Sequence, residues 1–192
     1  MLVYDIEIIK AIPNKDGSRM DGIEYCEGWG DHRNMGVSVI GAYDTQQQRS
    51  RVFCEDNVAA FIEAAEAADL LVSFNGLAFD NAVIAAAWDI QLPGAKCYDL
   101  LVEAWVADGK GPLFKYPSHI GYGLDALCQQ TFGVCKTGSG ALAPVLWQRG
   151  ERGQVIDYCL NDVWLTNRLL QHVIAGLSVA GPNGPLKLRK PA

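Results

Sequence analysis

Seven residues near the N-terminus, Leu2-Val3-Tyr4-Asp5-Ile6-Glu7-Ile8, constrain the fold more than any other stretch. Leu2, Tyr4, Ile6 and Ile8 fall on one side of a period-two pattern, and Val3, Asp5 and Glu7 on the other. Such alternation in β-forming residues predicts a strand, and its apolar content places that strand inside a sheet rather than at its edge. Asp5 and Glu7 then share one face, roughly 7 Å apart at ~3.3 Å per residue. If that face is half exposed, both carboxylates are simply solvated. If it is buried, the two charges repel and an unpaired carboxylate is costly. A Lys or Arg, a proton or a metal ion must then offset them.

The following elements are read from periodicity and turn residues. Lys10–Asn34 has no sustained period and is long for a loop within a domain, which marks it as a functional, partly disordered or inserted segment. Gly36–Tyr43 and Arg51–Cys54 read as two strands of an antiparallel meander. A helix capped at Asp56-Asn57 runs to Ala67, with Val58, Phe61, Ile62 and Ala65 on one stripe. Leu70–Phe74 is a short buried strand broken by Asn75-Gly76, and an alanine-rich helix spans Phe79–Trp88. Cys97-Tyr98 is a fifth strand, followed by a helix over Asp99–Val106. Leu124–Phe132 and Gln154–Ile174 are helical, with loops at Lys110–Gly123 and Gly133–Pro144. Residues 1–175 form the expected domain. Residues 176–192 form a tail or a small hairpin around Pro182-Asn183-Gly184, and the basic Leu186–Lys190 stretch is expected to be solvated. This order predicts an α/β fold with a mixed five-stranded sheet, antiparallel meander plus parallel strands, flanked by helices. It is the element order of a ribonuclease H-like fold.

With 192 residues, about half of them apolar, the chain has enough material for one sizeable core. No run is long and apolar enough for a membrane span, and the first residues lack a secretory pattern, so a cytoplasmic protein without membrane contact is expected. The six cysteines (26, 54, 97, 128, 135, 159) have no C-x2-C spacing and read as reduced, structural thiols. A net charge of −6 argues against a general nucleic-acid coat, but not against an acidic, metal-binding site.

Two further acidic positions stand in suggestive places. In Val72-Ser73-Phe74-Asn75-Gly76-Leu77-Ala78-Phe79-Asp80, a buried strand ends and Asp80 opens the next helix, where α/β sheets bind ligands. A plain helix cap would also use Asp there. In Ile156-Asp157-Tyr158-Cys159-Leu160-Asn161-Asp162-Val163, Tyr158 and Asp162 lie four apart on one helix face at the margin of the apolar stripe. An exposed Asp beside a half-buried Tyr is the plainer alternative.

Together, D-x-E on the first strand, N-x3-F-D after the fourth and Y-x3-D on the late helix resemble the DEDD superfamily of 3′–5′ exonucleases. The Tyr four residues before the last Asp is similar to its DEDDy branch, which includes the proofreading domains of family A and B DNA polymerases. The Tyr158–Asp162 wording is close to the family B version. Tyr98–Leu101, Gly123–Leu127, Phe132-Gly133 and Lys136 also resemble segments between the second and third motifs. The likeness spans about residues 1–175. With no room for a polymerase domain in the remainder, it implies a stand-alone, phage-associated type.

The resemblance implies metal-dependent 3′–5′ hydrolysis of single-stranded DNA, or RNA, with two Mg²⁺ or Mn²⁺ ions held by Asp5, Glu7, Asp80 and Asp162. Hard carboxylate oxygens suit these ions, and a pair about 4 Å apart suits in-line phosphoryl displacement. Tyr158 would orient the attacking water. Asn75, Phe79, Lys136 and Arg149 are the candidate substrate contacts, with Lys115, Tyr116, His119, Thr137 and Arg152 as weaker ones. A replication or repair partner is compatible with this reading. Its rivals are a structure-specific endonuclease on the same fold and a catalytically silent nucleic-acid-binding module.

Overall fold

Strand β1 (Leu2–Ile8) forms where the alternation predicts it, and every residue in it except Asp5 is buried. It is the middle strand of the sheet in this computed structural model, which describes residues 1–191. On one side β2 (Val37–Asp44) runs antiparallel to β1, followed by antiparallel β3 (Arg49–Phe53). On the other side lie β4 (Leu71–Ser73) and β5 (Cys97–Asp99), both parallel. The order β3-β2-β1-β4-β5 is the expected mixed five-stranded sheet. Strand ends differ from the sequence reading by a residue or two, as terminal assignments do.

The helices are α1 (His32–Met35), α2 (Val58–Ala67), α3 (Asp80–Trp88), α4 (Leu100–Ala107), α5 (Leu124–Phe132), α6 (Ala143–Gln148) and α7 (Arg152–Ile174). Leu2, Tyr4, Ile6 and Ile8 bury against residues of α2 and α3, including Phe61, Val83 and Ile84. Val3 and Val72 on the opposite face meet α4, α5 and the C-terminal half of α7. The two faces of β1 therefore belong to two cores. This is why its apolar residues occupy both phases of the alternation, and why Asp5 and Glu7 fall within a packed layer.

The structure departs from the sequence reading in three places. Residues 143–148 form α6 rather than continuing a loop and linker, with Pro144 in its first turn, where a missing N–H has no cost. At six residues it is too short to show a period. Lys10–Asn34 is pinned down: Ala11 bridges Tyr25, Cys26 and Met35 are buried, and the Gln148 amide ties Ile9 and Glu24 together. The basic C-terminal stretch is not a solvated tail. After the β6–β7 hairpin (Val179–Gly181, Gly184–Leu186), Leu188 is buried. Arg189 makes a two-pronged ion pair with buried Glu103 (2.9 and 2.5 Å), and its carbonyl accepts the Tyr98 hydroxyl.

One glycine sets how closely α7 approaches the sheet. Gly41 on β2 stands opposite Asp5 in the β1–β2 register. A Cβ there would lie 2.9 Å from Cys159 Sγ and 3.2 Å from Val163 Cγ2, both on α7. Gly41→Ala is therefore expected to push α7 outward and cost about 1–3 kcal/mol. Urea titration measures this, with Gly41→Ala/Cys159→Ala recovering part of the loss. An unchanged midpoint in Gly41→Ala would contradict the packing argument.

Candidate active site

Strands β4 and β5 stop at Ser73 and Asp99 while β1 continues to Ile8, so β1 has no strand neighbour on that side beyond Val3. A cleft opens where the sheet is missing. Its lining includes Asp5, Glu7, Asp80, Asp162, Tyr158 and Lys136, with Asn75, Phe79 and Trp29 at its margin.

Each side chain has a local reason for its place. Asp80 is the first residue of α3, and its Oδ1 accepts the otherwise free Ile6 N–H of β1 at 3.1 Å. It does not act as the helix N-cap, a position taken by Phe79. The turn before it is tight. Asn75 adopts φ +70°, and a Cβ on Gly76 would fall 2.2 Å from Ser73 Oγ. Buried Asp99 clamps this turn by accepting the Asn75 (2.9 Å), Leu77 (3.1 Å) and Leu101 (3.0 Å) N–H groups. Asp99 reads from the sequence as the start of a helix in a segment resembling the family, not as a site residue. Its place at a strand end before a helix, where Asp serves as a cap, was the available signal.

From the other wall, α7 presents Tyr158 and Asp162 one turn apart, both more than nine-tenths buried. Gly138 lies flat against the Tyr158 ring, where a Cβ would come within 2.9 Å of Cδ2. Lys136 follows α5, and its backbone N–H is held by Asp125 Oδ1 at 2.6 Å. Its ammonium donates to Asp162 Oδ2 and, at 3.4 Å, to the Tyr158 hydroxyl.

The electrostatics are unfavourable without a cation. Ligand atoms of Asp5, Glu7 and Cys159 lie within 4.8 Å of one another. Two like charges that close repel by about 3–4 kcal/mol at an effective dielectric of ~20, far above thermal energy. Burial, then repulsion from Asp80, Glu7 and Asp162, raises the Asp5 pKa well above the carboxylate range. Burial and Asp162 do the same to Glu7. Asp80 is pushed up to about 7, chiefly by burial. Burial also raises Asp162, although Lys136 opposes the shift. Burial pulls the Lys136 pKa down, but the charge of Asp162 outweighs it and the ammonium is held firmly protonated. Tyr158 is raised by burial and by Asp162, so it stays a neutral hydroxyl at physiological pH.

One lysine cannot balance this group. Asp162 Oδ1 is buried with no hydrogen-bond partner, and the surrounding donors are hard carboxylate oxygens. This set fits a divalent cation of the Mg²⁺ or Mn²⁺ kind. Cys159 stands behind Asp5, its Sγ 3.5 Å from the Asp5 carbonyl. Burial, with Asp5 and Glu7 nearby, raises its thiol pKa, so it remains a protonated packing group.

The structure thus brings together Asp5, Glu7, Asp80, Tyr158, Asp162, Asn75, Phe79 and Lys136, but not Arg149. Arg149 is exposed at the end of α6, outside the cleft lining. It follows a short helix that was not visible in the sequence. The pinned 10–34 segment contributes Trp29, whose ring lies 5.8 Å from that of Phe79. Trp29 was missed because its neighbours have no period.

The family model described as the RNase_H superfamily matches residues 26–174. The chain belongs to that superfamily. Among solved structures, it is similar to the family B DNA polymerase of the hyperthermophilic archaeon Pyrobaculum calidifontis, with a TM-score of 0.60 and 16% identity. The match covers 90% of this chain and 24% of the polymerase, so the chain spans about a quarter of that protein's length. A search of curated proteins returned no match.

The raised carboxylates make stability pH-dependent in the ion-free protein. The folded state holds protons on Asp80 and its neighbours that the unfolded chain releases near pH 4. The stability this contributes is complete below pH 4 and is lost as pH rises through about 7. In EDTA, the melting temperature is therefore expected to fall between pH 5 and pH 8. A melting temperature that is flat or rises over that range would contradict the electrostatic assignment.

Proposed function

We propose that this member of the RNase H superfamily is a divalent-metal-dependent 3′–5′ exonuclease of DEDDy type, acting on single-stranded DNA ahead of RNA. The observation carrying this reading is the convergence of four carboxylates from three elements on one cleft beside the Tyr158 hydroxyl. An arrangement this repulsive has no structural use, and it matches the acidic set that the sequence motifs imply. The superfamily membership and the polymerase likeness support a nuclease. The Tyr158–Asp162 spacing supports the exonuclease branch over an endonuclease.

When bound at these carboxylates, Mg²⁺ or Mn²⁺ supplies Lewis-acid polarisation of the phosphate and a more acidic bound water. Asp5, Glu7, Asp80 and Asp162 would hold the ions. Tyr158, kept protonated by burial, offers a hydroxyl that orients a water toward phosphorus. Lys136 reaches from its half-buried position toward the same hydroxyl and Asp162, where its ammonium meets an incoming phosphate as readily as a carboxylate. Asn75 and Phe79 stand at the margin where a terminal nucleotide would enter. Their turn is held rigid by Asp99, which serves precision of placement.

A 5′-labelled single-stranded DNA oligonucleotide tests this directly. In Mn²⁺ or Mg²⁺, a descending ladder shortened from the 3′ end is expected, absent in EDTA and in Asp5→Ala. Tyr158→Phe should retain the fold and lose about 10²-fold in kcat. A full-rate Asp5→Ala enzyme, or cuts confined to internal positions, would overturn the assignment. No cleavage of DNA or RNA in either metal would leave the silent binding module, in which Lys136 serves as the resident cation.

A further inference from the structure

Residues 163–192 carry a charge opposite to that of the rest of the chain. They contain no Asp or Glu but hold Arg168, Lys187, Arg189 and Lys190, in a protein of net charge −6. Such asymmetry sets up a field that attracts an acidic partner. The fold gathers these cations away from the cleft. Helix α7 places Asp162 at the cleft and then runs on, so Gly176, just past its end, lies roughly 21 Å farther along the axis at ~1.5 Å per residue. There the Lys187 ammonium donates to the Gly176 carbonyl, and a Cβ on that glycine would lie 3.4 Å from the Lys190 Nζ.

Between the cleft and that end, the outer side of α7 carries an ordered cation. Trp164, Arg168 and His172 follow one another at four-residue spacing, so they form one ridge. The Arg168 guanidinium lies 4.4 Å from the centroid of the Phe132 ring of α5 and 5.4 Å from that of Trp164. His172 meets Phe132 edge-on at 5.1 Å. Two aromatic neighbours fix the planar group and leave its edge, with the N–H fork, to a carboxylate. Among the described residues, the ion pairs include none of Arg168, Lys187 and Lys190. Trp164 is 49% exposed and Leu177 53%, so apolar surface flanks the cations.

We infer that this face docks an acidic partner protein, through an extended segment that carries carboxylates beside apolar side chains. Charge complementarity calls for an anion, and three features favour a peptide over a nucleic acid. The rings at Arg168 already pack against its guanidinium, so they offer no free platform for a base. Trp164 and Leu177 would stay wet against a phosphate backbone, whereas Trp, Phe and Arg are the residues enriched at protein interfaces. The face also lies far along α7 from the carboxylates, so a partner seated there leaves the cleft open. From Trp164 to Gly176 is about 18 Å along the helix, a span of about five or six extended residues. Carboxylates on such a segment would meet Arg168 and the lysines, with apolar side chains over Trp164 and Leu177. The inference does not depend on the nuclease reading.

The test uses the full chain, labelled with ¹⁵N, and a fluorescein-labelled peptide of three Asp-Asp-Leu repeats. The same peptide with asparagine for aspartate is the neutral control. The acidic peptide should shift the Trp164 indole resonance and the amides of residues 168–177, and leave those of residues 5–8 in place. Its affinity by anisotropy should fall as NaCl rises from 50 to 300 mM. Arg168→Gln and Lys190→Glu should each weaken it about 10-fold, with melting temperatures as the folding control. Equal affinity for the neutral peptide, unchanged affinity in Arg168→Gln, or shifts centred on the cleft would overturn the proposal. So would the absence of any shift at millimolar peptide. Tighter binding at this face by (dT)12 in EDTA, or by phosphatidylserine vesicles, would overturn it in favour of a nucleic acid or a membrane.

Discussion

Four carboxylates cannot all be ionised in one buried cleft without a compensating cation, and much of this molecule is arranged around that requirement. Glu7, Asp80 and Asp162 are nearly inaccessible, and Asp5 is the only residue of its strand that reaches the surface. Of the four carboxylates Lys136 pairs with Asp162, through one oxygen, leaving the other buried oxygen of that residue with no partner. The lysine behaves as an internal counter-ion that covers part of the charge. Its backbone is anchored through Asp125, so it stays beside the carboxylates rather than drifting into solvent.

The cleft itself comes from unequal strand lengths. β1 has seven residues, while its parallel neighbour β4 and the next strand β5 have three each, so the sheet ends early on one side. The chain then turns sharply at Asn75-Gly76 and enters α3 with Asp80 aimed back at the free Ile6 N–H. On the opposite wall, a glycine at position 41 lets α7 come close enough for Cys159 to touch Asp5. Each wall thus depends on a residue chosen for what it lacks: a Cβ at Gly41 and Gly76, and a hydrogen-bonding strand beyond Ser73.

The sheet and the acidic set were legible because both leave local patterns. A period of two identified β1, and the motif spacings put Asp80 at a helix start and Tyr158 with Asp162 on one helical face. What escaped depends on contacts distant in sequence. Trp29 reaches the cleft because Gln148, more than a hundred residues away, fastens the 10–34 segment to Ile9. Arg149 was expected near the strand from its position before the third motif, but the short helix α6 carries it to the exterior. The basic C-terminus looked solvated by composition, yet Glu103, buried on α4, supplies Arg189 with a partner. Asp99 illustrates the same limit, because its clamp on residues 75 and 77 exists only once two strands lie side by side.

If a divalent cation is what this cleft is built to hold, direct binding is the decisive quantity. Isothermal titration of the metal-free protein with Mn²⁺ at pH 7.5 should show saturable binding with proton release, because raised carboxylates must ionise to ligate. The heat should vanish in Asp5→Ala. Lys136→Met, which removes the internal counter-ion, should bind Mn²⁺ more tightly than the wild type. Absence of any Mn²⁺ binding, or binding unaffected by Asp5→Ala, would contradict the cation-centred reading of the site.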